Sequence, residues 1–232
     1  HTANRRQRQM CIRDRLQRYT DSAENIYLNA GCLFIIPTYN TSSDGTGYES
    51  ARINSQNKRK FKYGRVDISF SVPEITGVWP ALWMMPEKSV YGNWPRSGEI
   101  DIVETINEKS DELVTTIHYG HDYHRQISKT TFLNQLTKLS NPIDHNKISL
   151  IWEDKYFEWL LNDQLVFKVN FNEVENLEPN PFLEEFYLLI NVAVGGNWPG
   201  TPNSTMYCNS RKSCPDMKKL IVDYIAYYEK IN

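Results

Sequence analysis

The chain has 232 residues, a formal net charge of −2, and is 40% hydrophobic and 12% aromatic. It is long enough for one large core. The near-balanced charge gives no basic face for nucleic acid or an anionic membrane, and no apolar run approaches the roughly 18 residues that span a bilayer. The 6 Trp and 14 Tyr supply flat faces with polar tips, which suit sugars but also fill β cores.

In chain order, residues 1–15, "HTANRRQRQMCIRDR", come first and are unlike the rest. "RRQRQMCIRDR" back-translates codon by codon to a transposase-based sequencing adapter. We read 1–15 as a non-native artefact, excluded from fold reasoning and expected to pack against nothing. The natural domain, 16–232, is then expected to begin near Leu16, truncated at its N-terminus, with any signal peptide out of view. Cys11 drops out with the artefact. Of the other cysteines, Cys208 and Cys214 close the short loop "CNSRKSC" and are candidates for a disulfide. Cys32 stands single and is expected to be small and buried. With the sequons at Asn40 and Asn203, the pair points to a secreted, extracellular protein.

From residue 26 the chain reads as short strands between turns. "NIYLNAGCLFII" gives two strands around Asn29-Ala30-Gly31, and "YGRVDISFSV" alternates like a half-buried strand. "VWPALWMMP" and "EIDIVETI" follow. Between residues 147 and 169, "KISLIW", "KYFEWLL" and "QLVFKV" are separated by Glu-Asp and Asn-Asp, an antiparallel meander. "FYLLINVAVGG" is an aliphatic strand, "PFLEEF" a helical turn, and the β-branched and Tyr content of "KKLIVDYIAYYEKI" favours a final strand. Many strands without repeat or linker predict one all-β domain, a two-sheet antiparallel sandwich.

The most informative stretch is "SGEIDIVE", residues 97–104, which sets Glu99, Asp101 and Glu104 among Ile100, Ile102 and Val103. Ionised carboxylates are rarely buried unless something uses or neutralises them. Strict alternation puts Glu99 and Asp101 on one face but sends Glu104 into the core. A one-residue bulge near Ile102-Val103 removes that conflict, and bulges of this kind re-aim side chains beside active sites. Glu99 and Glu104 then stand as i and i+4 on one face, Cα atoms roughly 13 Å apart. Side chains leaning together reach the carboxyl separation of about 5–5.5 Å used by retaining glycosidases. One carboxylate attacks the sugar, and the other protonates the leaving oxygen and later deprotonates water. Asp101 between them tunes its neighbours, since crowded carboxylates raise one another's pKa. A solvated strand face is the plain alternative. Calcium binding by the triplet is disfavoured, because Ca²⁺ takes six to eight oxygens, mostly from loops.

"GEIDIVE" resembles the E-x-D-x-x-E signature of glycoside hydrolase family 16. "RLQRYTDSAENIYLNAGCLFI", "YESARINSQNKRKFKYGRVDISFSVP", "GVWPALWMMP", "NWPRSGEIDIVE", "TIHYG", "LLINVAVGGNWPG" and "VDYIAYY" resemble, in order, the blocks of its laminarinase-like endo-β-1,3-glucanases. The resemblance implies a β-jelly-roll sandwich with a concave sugar cleft. It also implies a retaining hydrolase of laminarin-type β-glucan acting as a monomer, with Glu99 as nucleophile, Glu104 as acid/base and Asp101 as the assisting carboxylate. It makes Trp94 a sugar-stacking residue, Trp79 and Trp198 further cleft aromatics, and Arg52, Asn191 and His118 polar cleft residues. Trp83 is assigned to the core, and His121, His124 and His145 receive no role. No cofactor is implied for catalysis, but many relatives hold a structural Ca²⁺ partly through the Asp of the closing strand, here Asp223. Other readings on the same fold are a non-catalytic β-glucan recognition protein, a transglycosylase and a mixed-linkage β-1,3-1,4-glucanase. Retention of all three carboxylates favours an enzyme.

Overall fold

A computed structural model describes residues 15–40, 47–106, 109–132 and 145–230. The strands are β1 (Arg18–Tyr19), β2 (Ile26–Asn29), β3 (Cys32–Ile35), β4 (Thr38–Tyr39), β5 (Tyr48–Ser50) and β6 (Arg52–Asn54). There follow β7 (Gly64–Ser71), β8 (Val78–Pro86), β9 (Glu99–Ile106), β10 (Lys109–Tyr119) and β11 (Arg125–Phe132). The last are β12 (Asn146–Trp152), β13 (Tyr156–Leu161), β14 (Gln164–Asn170), β15 (Phe186–Val194) and β16 (Leu220–Tyr228). Residues 1–14, and Cys11 with them, lie outside the described residues.

Two large antiparallel sheets carry the domain. One runs β11-β10-β9-β8-β15-β6 and the other β14-β13-β12-β7-β16-β3-β2, so strands distant in sequence are neighbours, as in a jelly roll. The local turns follow from composition. Ala30 (φ 50°) and Gly31 (φ 87°) join β2 to β3, and Asn162 (φ 49°) and Asp163 (φ 66°) join β13 to β14; two successive positive φ values match the twist of a tight hairpin. "PFLEEF" opens with the 3₁₀ turn Pro181–Leu183, capped by Asn180 Oδ1 accepting from Phe182 N. The closing segment is a strand. Beyond the expected two sheets there is a third, β1-β5-β4, whose β1–β5 pair is parallel.

Alternation splits each central strand of the six-stranded sheet. Leu82 and Met84 of β8, Ile117 of β10, and Ile190 and Val192 of β15 face the seven-stranded sheet and are essentially fully buried. Against them pack Ile68 and Phe70 of β7, Leu150 of β12, and Phe157 and Trp159 of β13. Phe157 is the centre of an aromatic cluster, with the rings of Trp152, Trp159, Phe171 and Phe182 at 5.1–5.6 Å. The opposite face of the six-stranded sheet is left for Trp79, Trp83 and the carboxylates.

The Cys208–Cys214 disulfide is formed, with Cα atoms 5.4 Å apart. Cys32 differs from expectation: it is half-buried, and its thiol faces Asp223 Oδ1 at 3.7 Å. It is the first residue of β3, paired with Asn29 beside the exposed hairpin turn, and so lies at the edge of the core rather than within it. Asn40 and Asn203 are both exposed.

Truncating Phe157 to alanine removes a fully buried ring at the middle of this cluster. We expect urea denaturation to show a loss of about 3–5 kcal/mol with an unchanged m-value.

Candidate active site

Ser97, Gly98 and Glu99 show how the local sequence sets the site. Ser97 is buried; its hydroxyl donates to Gly92 O at 2.7 Å and accepts from Tyr91 N at 3.2 Å, closing the loop that carries Trp94. Gly98 has φ +79°, and a Cβ there would meet Pro181, Phe182 and Phe186 at 3.1–3.2 Å, so both the angle and the space call for glycine. Glu99 then begins β9.

The bulge is present. β8 pairs Leu82 with Val103 and Trp83 with Asp101, leaving Ile102 unmatched, and β10 shifts register over the same residues. Ile100, Ile102 and Val103 are all buried in the core. The extra residue therefore lets two successive aliphatic side chains turn inward, and Glu104 emerges on the face of Glu99 and Asp101.

Each carboxylate has a partner on that face. Trp94 Nε1 donates to Glu99 Oε2, and Trp79 Nε1 donates to Glu104 Oε1 at 2.8 Å. His118 Nε2, from β10, lies 2.9 Å from Asp101 Oδ2, off the line of a well-directed hydrogen bond. Burial is the main force on their ionisation, pushing Glu99, Asp101 and Glu104 each up to about 8. The Asp101 charge adds to the rise at both glutamates, while the indole N–H donors oppose it. The three titrate as one unit, so near neutral pH the cluster holds protons as well as charge. An acid and an ionised nucleophile can then coexist.

Trp198 is 39% exposed and meets the Trp79 ring edge-on at 4.7 Å. Trp83 corrects the core assignment: it is half-buried on the carboxylate face, its Nε1 donating to Asn191 Oδ1 at 2.8 Å and its ring under the Arg52 guanidinium at 4.9 Å. Asn191 is itself buried, so its carbonyl holds Trp83 in place. Tyr187, four residues before Asn191 on the same face of β15, also lines this end; burial raises its phenol pKa, and the Arg52 charge opposes the rise.

Two further placements differ from the sequence reading. His124 belongs to the site: its Nε2 is 2.8 Å from His118 Nδ1 and its ring centroid is 4.7 Å from Trp94. Arg15 does not hang free, because its guanidinium lies 3.9 Å over the Trp79 ring, a stacking that a planar cation makes wherever an exposed indole face is within reach. His121 packs on Tyr91 and His145 is exposed, both away from the carboxylates. Asp223 lies beside the Cys32 thiol, and among the described residues no three His, Cys, Asp or Glu side chains converge as a metal site. One carboxylate beside a thiol supplies few of the six to eight oxygens that calcium takes.

A model of the XgeA-like, catalytic GH16 domain matches residues 16–150. The chain belongs to glycoside hydrolase family 16. It is 37% identical over 213 residues to glucan endo-1,3-beta-glucosidase A1 of Niallia circulans, across 82% of this chain and 30% of that protein. To the beta-glucanase of Rhodothermus marinus it is 30% identical, across 92% of this chain and 73% of that protein. The laminarinase catalytic domain of Thermotoga maritima MSB8 superposes with a TM-score of 0.79 at 31% identity, covering 94% of this chain and 84% of that one. The chain thus spans under a third of the first relative's length and about three quarters of the second's.

The raised carboxyls make a stability prediction. The folded family 16 domain binds these protons more tightly than the unfolded chain, whose glutamates titrate near 4.5. Stability is therefore lost as pH rises from about 4.5 through about 8. The neutral isostere Glu104→Gln keeps an acceptor for Trp79 and escapes this loss. Thermal melts should show the variant gaining on wild type from pH 4 to pH 9, and a variant less stable at pH 9 would contradict the burial argument.

Proposed function

We propose that this family 16 protein is a retaining endo-β-1,3-glucanase, secreted and monomeric, that cleaves laminarin-type β-glucan. One observation carries the reading: the Ile102 bulge brings Glu99, Asp101 and Glu104 to one face between indole rings. Glu99 attacks the anomeric carbon and forms a glycosyl-enzyme while Glu104 gives its proton to the leaving oxygen; Glu104 then takes a proton from the water that releases the sugar. Asp101 governs the charge its neighbours feel. Trp94 stacks a sugar beside the cleavage point, Trp79 and Trp198 extend the platform, and Arg52, His118 and Asn191 with Trp83 order the hydroxyl contacts. The names of the Niallia circulans relative and the Thermotoga maritima structure support the linkage. We read residues 1–15 as foreign to the domain, a reading supported by a family match that begins at residue 16.

The test is product analysis on laminarin, lichenan and agarose. Wild type is expected to release oligosaccharides from laminarin in preference to the others, with retained anomeric configuration. Glu99→Gln and Glu104→Gln should each lose about three orders of magnitude in kcat, with Asp101→Asn less affected. Trp94→Ala should cost about 1–3 kcal/mol in kcat/KM. Wild-type binding of β-1,3-glucan without any release of reducing ends would replace the enzyme by a recognition protein.

A further inference from the structure

His118 stands between two groups on opposite sides of its ring. Its Nε2 is 2.9 Å from Asp101 Oδ2, and its Nδ1 is 2.8 Å from His124 Nε2. The two imidazoles stack at 27°, centroids 5.0 Å apart, and His124 also packs on Trp94, the donor to Glu99. Only one proton fits between two nitrogens at that distance. If His118 Nδ1 carries it, a neutral His118 presents a bare Nε2 at 2.9 Å from Asp101 Oδ2, a lone pair that an ionised carboxylate repels and a protonated one tolerates. If His124 Nε2 carries it, the neutral His118 proton sits on Nε2 beside Asp101, which favours the ionised carboxyl. The state of a ring outside the carboxylate cluster thereby decides the charge at its centre.

We propose that His124 is a positioning residue of the active site: its Nε2 accepts the His118 Nδ1 proton, which leaves His118 Nε2 bare against a protonated Asp101. The inference rests on reading Glu99 and Glu104 as the catalytic pair. The surroundings agree with it. Partial burial holds His124 below its usual pKa, which keeps it neutral with one ring nitrogen free to accept, and burial favours the neutral Asp101. Among the described residues the titratable group against His124 is His118 from β10, with Asp101 and Glu99 of β9 beyond His118 and Trp94. Arg125, next in sequence, lies over Tyr123, and Arg96 bonds the His121 carbonyl. A neutral Asp101 spares both glutamates an added negative charge, and Glu99 ionises at lower pH than it otherwise would.

The test compares His124→Phe, which keeps the stacking ring without its nitrogens, with His124→Gln, which restores a hydrogen-bonding group. Nitrogen-15 NMR of histidine-labelled protein without ligand reads the His118 tautomer from pH 5 to 9. Wild type and His124→Gln should show His118 protonated on Nδ1, and His124→Phe should show it protonated on Nε2. On laminarin, His124→Phe should lose on the order of tenfold in kcat/KM, mostly in kcat. Its acid limb should move to higher pH, and His124→Gln should recover most of both. The same His118 tautomer in wild type and His124→Phe would overturn the proposal, as would an unmoved pH profile. If wild type fails to cleave laminarin, the glucanase reading falls, and the NMR comparison still decides the role of His124.

Discussion

Everything at this site depends on how a strand with an aliphatic back accommodates three carboxylates. β9 lies at the centre of the six-stranded sheet, between β8 and β10, so its inner face belongs to the core. Without Ile102 as an unpaired residue, either Glu104 or one of its aliphatic neighbours would stand on the wrong side. An uncompensated buried charge is far more costly than a locally disrupted ladder, so the bulge wins. Its consequence is chemical: burial raises the pKa of all three acids, and Asp101 is close enough to raise both glutamates further.

That crowding works against stability, and the surrounding residues offset it in part. Trp79 and Trp94 each turn an indole N–H toward a glutamate and leave the ring for other contacts. His118 stands at Asp101, and the Ser97 hydroxyl fixes the loop bearing Trp94. The same side chains that temper the carboxylates form the platform beside them, so binding surface and reactive groups are held by one network. Family 16 membership places this arrangement on a known scaffold; the local packing of this chain explains its shape.

Much of this was legible in the sequence because it follows from period and parity. The Asn162-Asp163 hairpin, the meander around it, and the β-branched final strand are local signals, and the bulge is forced by the position of Glu104 relative to Ile102 and Val103. What was not legible depends on register between strands. Whether Trp83 faces core or cleft, and whether His124 reaches His118, is decided by cross-strand pairing and by the course of the loop after β10. His118 drew attention through the resemblance of "TIHYG", but nothing in "HDYHR" marks its second histidine as a partner. The third sheet was equally hidden, since β1 and β4 are two-residue strands below any periodic signal. Arg15 was misjudged because a guanidinium stacks on an indole face within its reach whatever the sequence around it.

The central claim is that burial and crowding keep protons on this cluster near neutral pH. Carbon-13 NMR of side-chain carboxyls in the ligand-free protein, titrated from pH 3 to 10, reads it directly, with Glu99→Gln, Asp101→Asn and Glu104→Gln used for assignment. The account predicts that at least one of the three carboxyls titrates near 8 and that neutralising Asp101 lowers the pKa of both glutamates. Three independent titrations, all complete below pH 5, would contradict it.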